Sequence, residues 1–332
     1  MSQCTLPTEL PAVCSCSTPT NIVTSQAKGC FTTNPTNKQL SQFQTKHKLQ
    51  NISNHALRAA FLKGLEWDQN ATINIGFLGD GYGQLDGEKM KKSEIVRKIV
   101  SDTIEPLINL KFVWDTNIPT AGAHVRISFE SEYGAWSKIG TSAFEITDNN
   151  LATMNLGWLD DDVDDSGFKA AIGKGTVIIH EFGHMLGMIH EHTRSDSGLK
   201  WNCSALCSYF GAPPNQWNWD IIKNNILDQY DTDQFNGSLY DTASIMHYWF
   251  PQDVFCDNKI VQRNAVLSEC DKEWIQKTYQ TPSYVPGNCR IGVASSDPPP
   301  TTILLFGQKV DVQKLTFGLL FMIVILLLIL IF

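Results

Sequence analysis

The stretch HEFGHMLGMIHEH, residues 180–192, holds four of the chain's eight histidines, with two glutamates and two glycines among apolar neighbours. With 8 His and 23 Gly in 332 residues, three His and one Gly at these offsets arise by chance on the order of 10⁻⁴ times per chain. The spacing also has a mechanical sense. The apolar run from Thr176 to Leu186 is long enough for a buried helix, on which His180 and His184 point from one face one turn apart. Gly187 follows as the residue that ends the helix and turns the chain, so that His190 can return as a third ligand. Three neutral imidazoles leave a tetrahedral zinc ion one open position for water, which is the arrangement of a catalytic rather than a structural site. Glu181, beside the first ligand, is the natural general base for that water.

A second short element, SIMHY at Ser244 to Tyr248, offers a soft thioether at Met246. Such a side chain packs beneath imidazoles without competing for zinc, so Met246 reads as a floor and not as a ligand.

The pattern HExxHxxGxxH resembles the metzincin signature, and HEFGHMLGMIHEHTR resembles the astacin-like zinc metallopeptidases in particular, where a Glu follows the third His. SIMHY is similar to their Met-turn. The resemblance covers roughly Leu49 to Tyr279, through blocks such as WDQNATINIGFLGD, HVRISFE, YGAWSKIGT and YFGAPPNQWNWDIIKNNIL. It implies a zinc metalloendopeptidase with one catalytic ion on His180, His184 and His190, and Glu181 activating the water. It implies further that Tyr248 approaches the metal and then hydrogen-bonds the developing oxyanion, and that the substrate is a protein or peptide. The fold it implies is an α+β, metzincin or zincin-like domain with a mixed sheet, a zinc helix and a cleft between two lobes. The chain departs from secreted astacins in its cysteines: none lies between Cys30 and Cys203, so their paired catalytic-domain cysteines have no clear counterparts. It also lacks their full charged run after the third His, and substrate preference therefore does not carry over. FLGD, Phe77 to Asp80, matches the short prosegment motif by which an aspartate blocks zinc. Yet it ends the alternating strand TINIGFL, with Gly81 and Gly83 in the turn after it, and reads as a strand end. The alternative from another class is a catalytically inactive, membrane-anchored peptide-binding protein on a metzincin scaffold, which would have no chemical need for Glu181.

The elements that must carry these residues follow from periodicity. It predicts a helix near Asn54 to Leu65, a strand at Thr72 to Leu78 and an amphipathic helix near Glu88 to Leu107. Strands at Lys111 to Trp114, His124 to Glu130 and Ala152 to Leu159 come next, then the zinc helix, and further helices after it. Strands first and helices later make an α+β order. By metzincin-like architecture LATMNLGWL, residues 151–159, is the cleft-edge strand that pairs with an extended substrate; on periodicity alone it is equally an ordinary sheet strand. The acidic run at residues 160–165 reads as a solvated loop.

The chain divides into a Cys/Thr/Pro-rich N-terminal segment at 1–46, a peptidase domain at 47–283, a linker at 284–312 and a transmembrane anchor at 313–332. Residues 1–46 lack the apolar core of a signal peptide and read as an unstructured arm, a small disulfide knot, or a propeptide with a thiol for the zinc. The uncharged run at residues 315–332 is just long enough, at about 27 Å as a helix, to span a bilayer. Lys309 and Lys314 before it place the catalytic domain on the cytosolic side, as a single-pass, tail-anchored protein of an organelle or virion membrane. Nine cysteines leave at least one free or paired between chains, while sequons at Asn51, Asn70, Asn202 and Asn236 would suit a lumenal fate. The net charge of −8 argues against nucleic acid as a partner.

Overall fold

In the computed structural model of the chain, the alternating segments predicted as strands come together around the helix that carries HEFGH. The structure describes Leu6, Cys14, residues 60–85, 88–115, 122–160, 174–212, 217–237, 239–262, 264–282, Cys289, and strand residues 302–305 and 308–311. The strands in chain order are β1 (Phe61–Leu62), β2 (Thr72–Phe77), β3 (Tyr82–Leu85), β4 (Glu88–Lys91), β5 (Lys111–Asp115), β6 (Val125–Ser128), β7 (Ala135–Ser137), β8 (Met154–Leu156) and β9 (Phe235–Asn236). The helices are α1 (Lys92–Thr103), α2 (Lys174–Met185), α3 (Cys203–Gly211), α4 (Trp219–Ile222) and α5 (Glu269–Thr278). Strands come first and helices dominate after α2, the α+β order expected from the sequence.

Five strands form one mixed sheet in the order β5-β2-β6-β8-β7, all parallel except β7. Ile73, Ile75, Val125, Ile127, Met154 and Leu156 are buried in it, and α1 and α2 pack together over the same core through Ile95, Ile99, Ile178 and Phe182. A second cluster, richer in aromatics, gathers Trp201, Tyr209, Phe210, Trp217, Phe250 and Phe255 from the chain after α2.

Several expectations need correction. The segment ending at Leu65 is not helical where described: Phe61 and Leu62 form β1, paired with Asn236 and Phe235, because both side chains are buried rather than one face of them. The helix expected from Glu88 starts at Lys92, since Glu88–Lys91 pairs instead with Tyr82–Leu85 as a hairpin. On the side away from β5 the edge of the sheet is β7 and not β8, which is the ordinary sheet strand that periodicity equally allowed. Met154–Leu156 is flanked by β6 on one side and β7 on the other, so its backbone groups are already paired.

Disulfides join Cys14 to Cys203 and Cys270 to Cys289, and Cys207 and Cys256 are disulfide-bonded as well. Cys14 also bridges to the backbone of Trp201, so the N-terminal segment is pinned here rather than an unattached arm. Disulfides persist in oxidising compartments and are rare in the cytosol, which stands against the expected cytosolic placement. The acidic residues 161–165 and the expected span at 315–332 lie outside the described residues. Among those described, no helix is long and apolar enough to cross a membrane.

The chain divides into two units, residues 1–290 and 291–332. In the second, Thr302–Leu305 pairs antiparallel with Gln308–Asp311, a hairpin inside the segment read as a linker.

Candidate metal centre

Helix α2 ends as the sequence reading requires. Gly187 has a positive φ of 109°, disfavoured for any residue with a Cβ, and the chain turns there. Its N–H still bonds the carbonyl of His184 at 2.8 Å, after which Ile189 pairs with the carbonyl of Ala60 and His190 faces back towards the helix.

His180, His184 and His190 converge. Their ligating nitrogens lie within 4.8 Å of one another, and Nε2 of His190 is 3.2 Å from that of His180 and 3.0 Å from that of His184. The ring protons of two of them are accounted for. Nδ1 of His180 faces the carbonyl of Ile245 and Nδ1 of His184 that of Met188, each at 2.8 Å, and a carbonyl only accepts. Both Nε2 atoms therefore present lone pairs. Burial pushes the His180 imidazolium down to about 4 and those of His184 and His190 well below their ordinary range, so all three rings are neutral at pH 7. Bare lone pairs this close repel unless a cation lies between them. Zinc–nitrogen bonds of about 2.0–2.1 Å in a tetrahedron set ligand nitrogens roughly 3.3 Å apart, so the donor set fits zinc.

The parts around the trio hold it in place. Ile245, whose carbonyl orients His180, donates its N–H at 2.9 Å to the buried carboxylate of Asp271 near the start of α5; the other carboxylate oxygen accepts from Ser244 Oγ at 2.7 Å. The carbonyl of Met246 accepts from the N–H of Glu191 at 3.1 Å. A Cβ on Gly183, between the two helical histidines, would stand 2.6 Å from Met246 Sδ. Met246 thus lies directly against α2 at Gly183, where a Cβ would force its thioether to move. Glu181 is wholly buried on the same helix. The Tyr248 ring centroid is 4.2 Å from that of His190 and 6.1 Å from that of His180.

Sequence reasoning missed three supports of this site. Asp271 carries no local signal beyond its place in a helix-capping Ser-x-x-Asp. Arg194 is fully buried and ion-paired with Glu191 at 2.8 Å and with Asp196 at 2.7 Å, although its neighbourhood reads as polar surface. Burial outweighs the nearby guanidinium and pushes Glu191 up to about 8. His192, also completely buried, is held by a carbonyl 33 residues further on. Asp80, whose motif matched a zinc-blocking prosegment, instead accepts from Gly81 N, Ser93 N and Ser93 Oγ at 2.9, 3.2 and 2.8 Å, which ties it to the start of α1.

A three-histidine centre on a glycine-ended helix, with a methionine packed against that helix, defines a zinc metallopeptidase of the metzincin class. No family model matches the chain. Among solved structures, myroilysin is 31% identical with a TM-score of 0.54, over 67% of this chain and 98% of that one. Among curated proteins, the low choriolytic enzyme of Oryzias latipes is 41% identical over 78 residues and the bone morphogenetic protein 1 homolog of Strongylocentrotus purpuratus 36% over 72. These matches span 23% and 10% of the respective relatives, and 23% and 22% of this chain. The chain belongs to the astacin-like zinc metallopeptidases, and zinc is its cofactor.

Proposed function

We propose that the chain is an endopeptidase in which His180, His184 and His190 hold one zinc ion, Glu181 is the general base and Tyr248 stabilises the oxyanion. Bound zinc supplies a Lewis acid beside the scissile carbonyl. The Glu181 carboxylate takes a proton from the attacking water and delivers it to the departing amine. The Tyr248 hydroxyl donates to the carbonyl oxygen as negative charge develops there. Supporting this reading above all is the convergence of three neutral imidazoles, the Nε2 of His190 3.0–3.2 Å from those of His184 and His180, with Glu181 on the helix of the first two and Tyr248 against His190.

The substrate reading is a protein or peptide in extended form. β7 is the sheet's edge beside α2, the place where an extended chain would add as a further strand. A membrane tether at residues 315–332 rests on that run's lack of charge, and the disulfides favour an oxidising side for the catalytic unit.

The test measures bound zinc and cleavage of a mixed peptide library by the full chain. One zinc per chain, activity abolished by a chelator and restored by zinc, is the expected result. A protein that binds peptides with its zinc in place and cleaves none is instead the inactive scaffold. For the tether, truncation before Lys314 is expected to release an active soluble enzyme; a truncated protein that still sediments with membranes at high salt would remove residues 315–332 as the anchor.

A further inference from the structure

We infer that His192, which is not a zinc ligand, is a positioning residue for Tyr248: it supports the phenol ring alongside the zinc histidine His190 and is itself aimed by the Asn225 carbonyl. This rests on the oxyanion role proposed for Tyr248.

Three rings form a closed triangle. Tyr248 is 4.2 Å from His190 and 4.5 Å from His192, and His190 and His192 are 5.1 Å apart with their planes inclined by 26°. Seen from the Tyr248 ring the two imidazoles lie at an acute angle, in neighbouring directions, so the phenol rests on a zinc ligand and on His192 together. The Phe250 ring is farther from it, at 5.9 Å. His192 thus shares with His190 the surface on which the phenol stands.

His192 is in turn fixed more firmly than packing alone requires. Its Nε2 lies 3.0 Å from the carbonyl oxygen of Asn225, which can only accept, so Nε2 carries the proton. Nδ1, fully buried, has no hydrogen-bond partner among the described residues. A histidine retained only as core filler would be better replaced by phenylalanine, since it leaves a polar atom unsatisfied at a cost of about 1–3 kcal/mol. Keeping the imidazole makes sense if its one hydrogen bond matters, because that bond fixes the ring plane that Tyr248 rests on.

The acceptor has an unusual origin. Asn225 lies in a π-helical turn, Lys223–Leu227, directly after α4, where the N–H of Asp228 bonds the carbonyl of Lys223 at 2.7 Å. The wider turn ends at Leu227, so the Asn225 carbonyl is past the last intrahelical donors and turns inward to His192. The Asn225 side chain closes the turn by donating to the carbonyl of Ile221 at 2.8 Å. A local departure from α-helical geometry thus aims a backbone dipole at a residue two positions beyond a zinc ligand.

The experiment compares His192→Gln, which keeps an N–H for Asn225 but removes the ring face, with His192→Phe, which keeps the face but loses the hydrogen bond. Both are made in the wild-type chain and in Tyr248→Phe. On folded protein with one zinc per chain, each single variant is expected to lower kcat about 10-fold, up to about 100-fold for a displacement near 1 Å, with KM little changed. In the Tyr248→Phe background the same substitutions are expected to cost less than about 2-fold more, because they act through a hydroxyl already gone. A readout independent of turnover comes from 3-fluorotyrosine labelling. The ¹⁹F signal that disappears in Tyr248→Phe should shift in both His192 variants of the metal-free and the zinc-loaded protein. The inference is overturned if kcat is unchanged in both variants, if the loss is equal in the two backgrounds, or if the fluorine signal stays in place. Tyr248→Phe with wild-type kcat would instead bring down the oxyanion reading on which it rests. If one variant does not fold, the other carries the same comparison.

Discussion

The two halves of the molecule around the metal are built differently. The half before Gly187 is periodic: parallel strands and long helices bury Ile73, Ile75, Ile127, Ile178 and Phe182, and neither the Cys14–Cys203 nor the Cys270–Cys289 disulfide joins these strands and helices to one another. The half after it has short helices, 3₁₀ turns and a π-helical turn around Trp201, Tyr209, Trp217 and Phe250, with disulfides at Cys203 and Cys270. The first half positions His180, Glu181 and His184 through the geometry of one helix. The second must deliver His190, Met246 and Tyr248 from irregular backbone, and does so with buried polar contacts and covalent links. Regular structure holds a site by repetition, irregular structure by individually necessary bonds.

The sharpest test of that contrast lies in the first half. Glu181→Gln should keep one zinc per chain and the same unfolding curve, and lower kcat by about 10²–10⁴-fold, the range for a lost general base. Substantial turnover with zinc bound would place the base elsewhere.

Covalent links should matter in the second half. Replacing Cys14 and Cys203 together by Ser is expected to cost about 2–4 kcal/mol, read as a lower denaturation midpoint. Hydrogen exchange should quicken at α3 and around Trp201, while β2 and β6 stay protected. Uniform loss of protection would erase the distinction between the halves.

Acid should also act on the second half through His247, which burial pushes down to about 4 from its ordinary 6.5. A histidine whose folded pKa is depressed contributes stability that is full above about 6.5 and is lost as pH falls towards 4, by up to roughly 3 kcal/mol. Metal-free His247→Gln is expected to show a shallower fall in stability over that window than the parent. Identical slopes would mean that His247 is not buried neutral.

The smallest effect is expected where the halves touch. Gly183→Ala puts a methyl against Met246 Sδ and should cost about 1–3 kcal/mol through overpacking. Gly183→Ala combined with Met246→Ala should recover part of that loss. Simple addition of the two penalties would show that the contact is not shared.

What was readable in the sequence follows the same division. The zinc helix, Gly187 and the strands β2, β5 and β6 could be placed because each depends on residues a few positions apart. β7 was missed because AWS is three residues long and its edge position is set by partners, not by pattern. The Cys14–Cys203 link spans 189 residues, and no spacing rule connects them. Asp271 and Asn225 look ordinary in their own segments. One acts through the backbone of Ile245 and the other through its own carbonyl, and backbone contacts of that kind leave no trace in residue type.

The Cys14–Cys203 link has a practical corollary for anyone purifying the enzyme. A protease nick anywhere between residues 15 and 59 would leave both fragments bonded, so the product would run at its original mass until a reducing agent is added. Its first fourteen residues would then travel with the catalytic unit through every column, detectable before reduction as a new amino terminus.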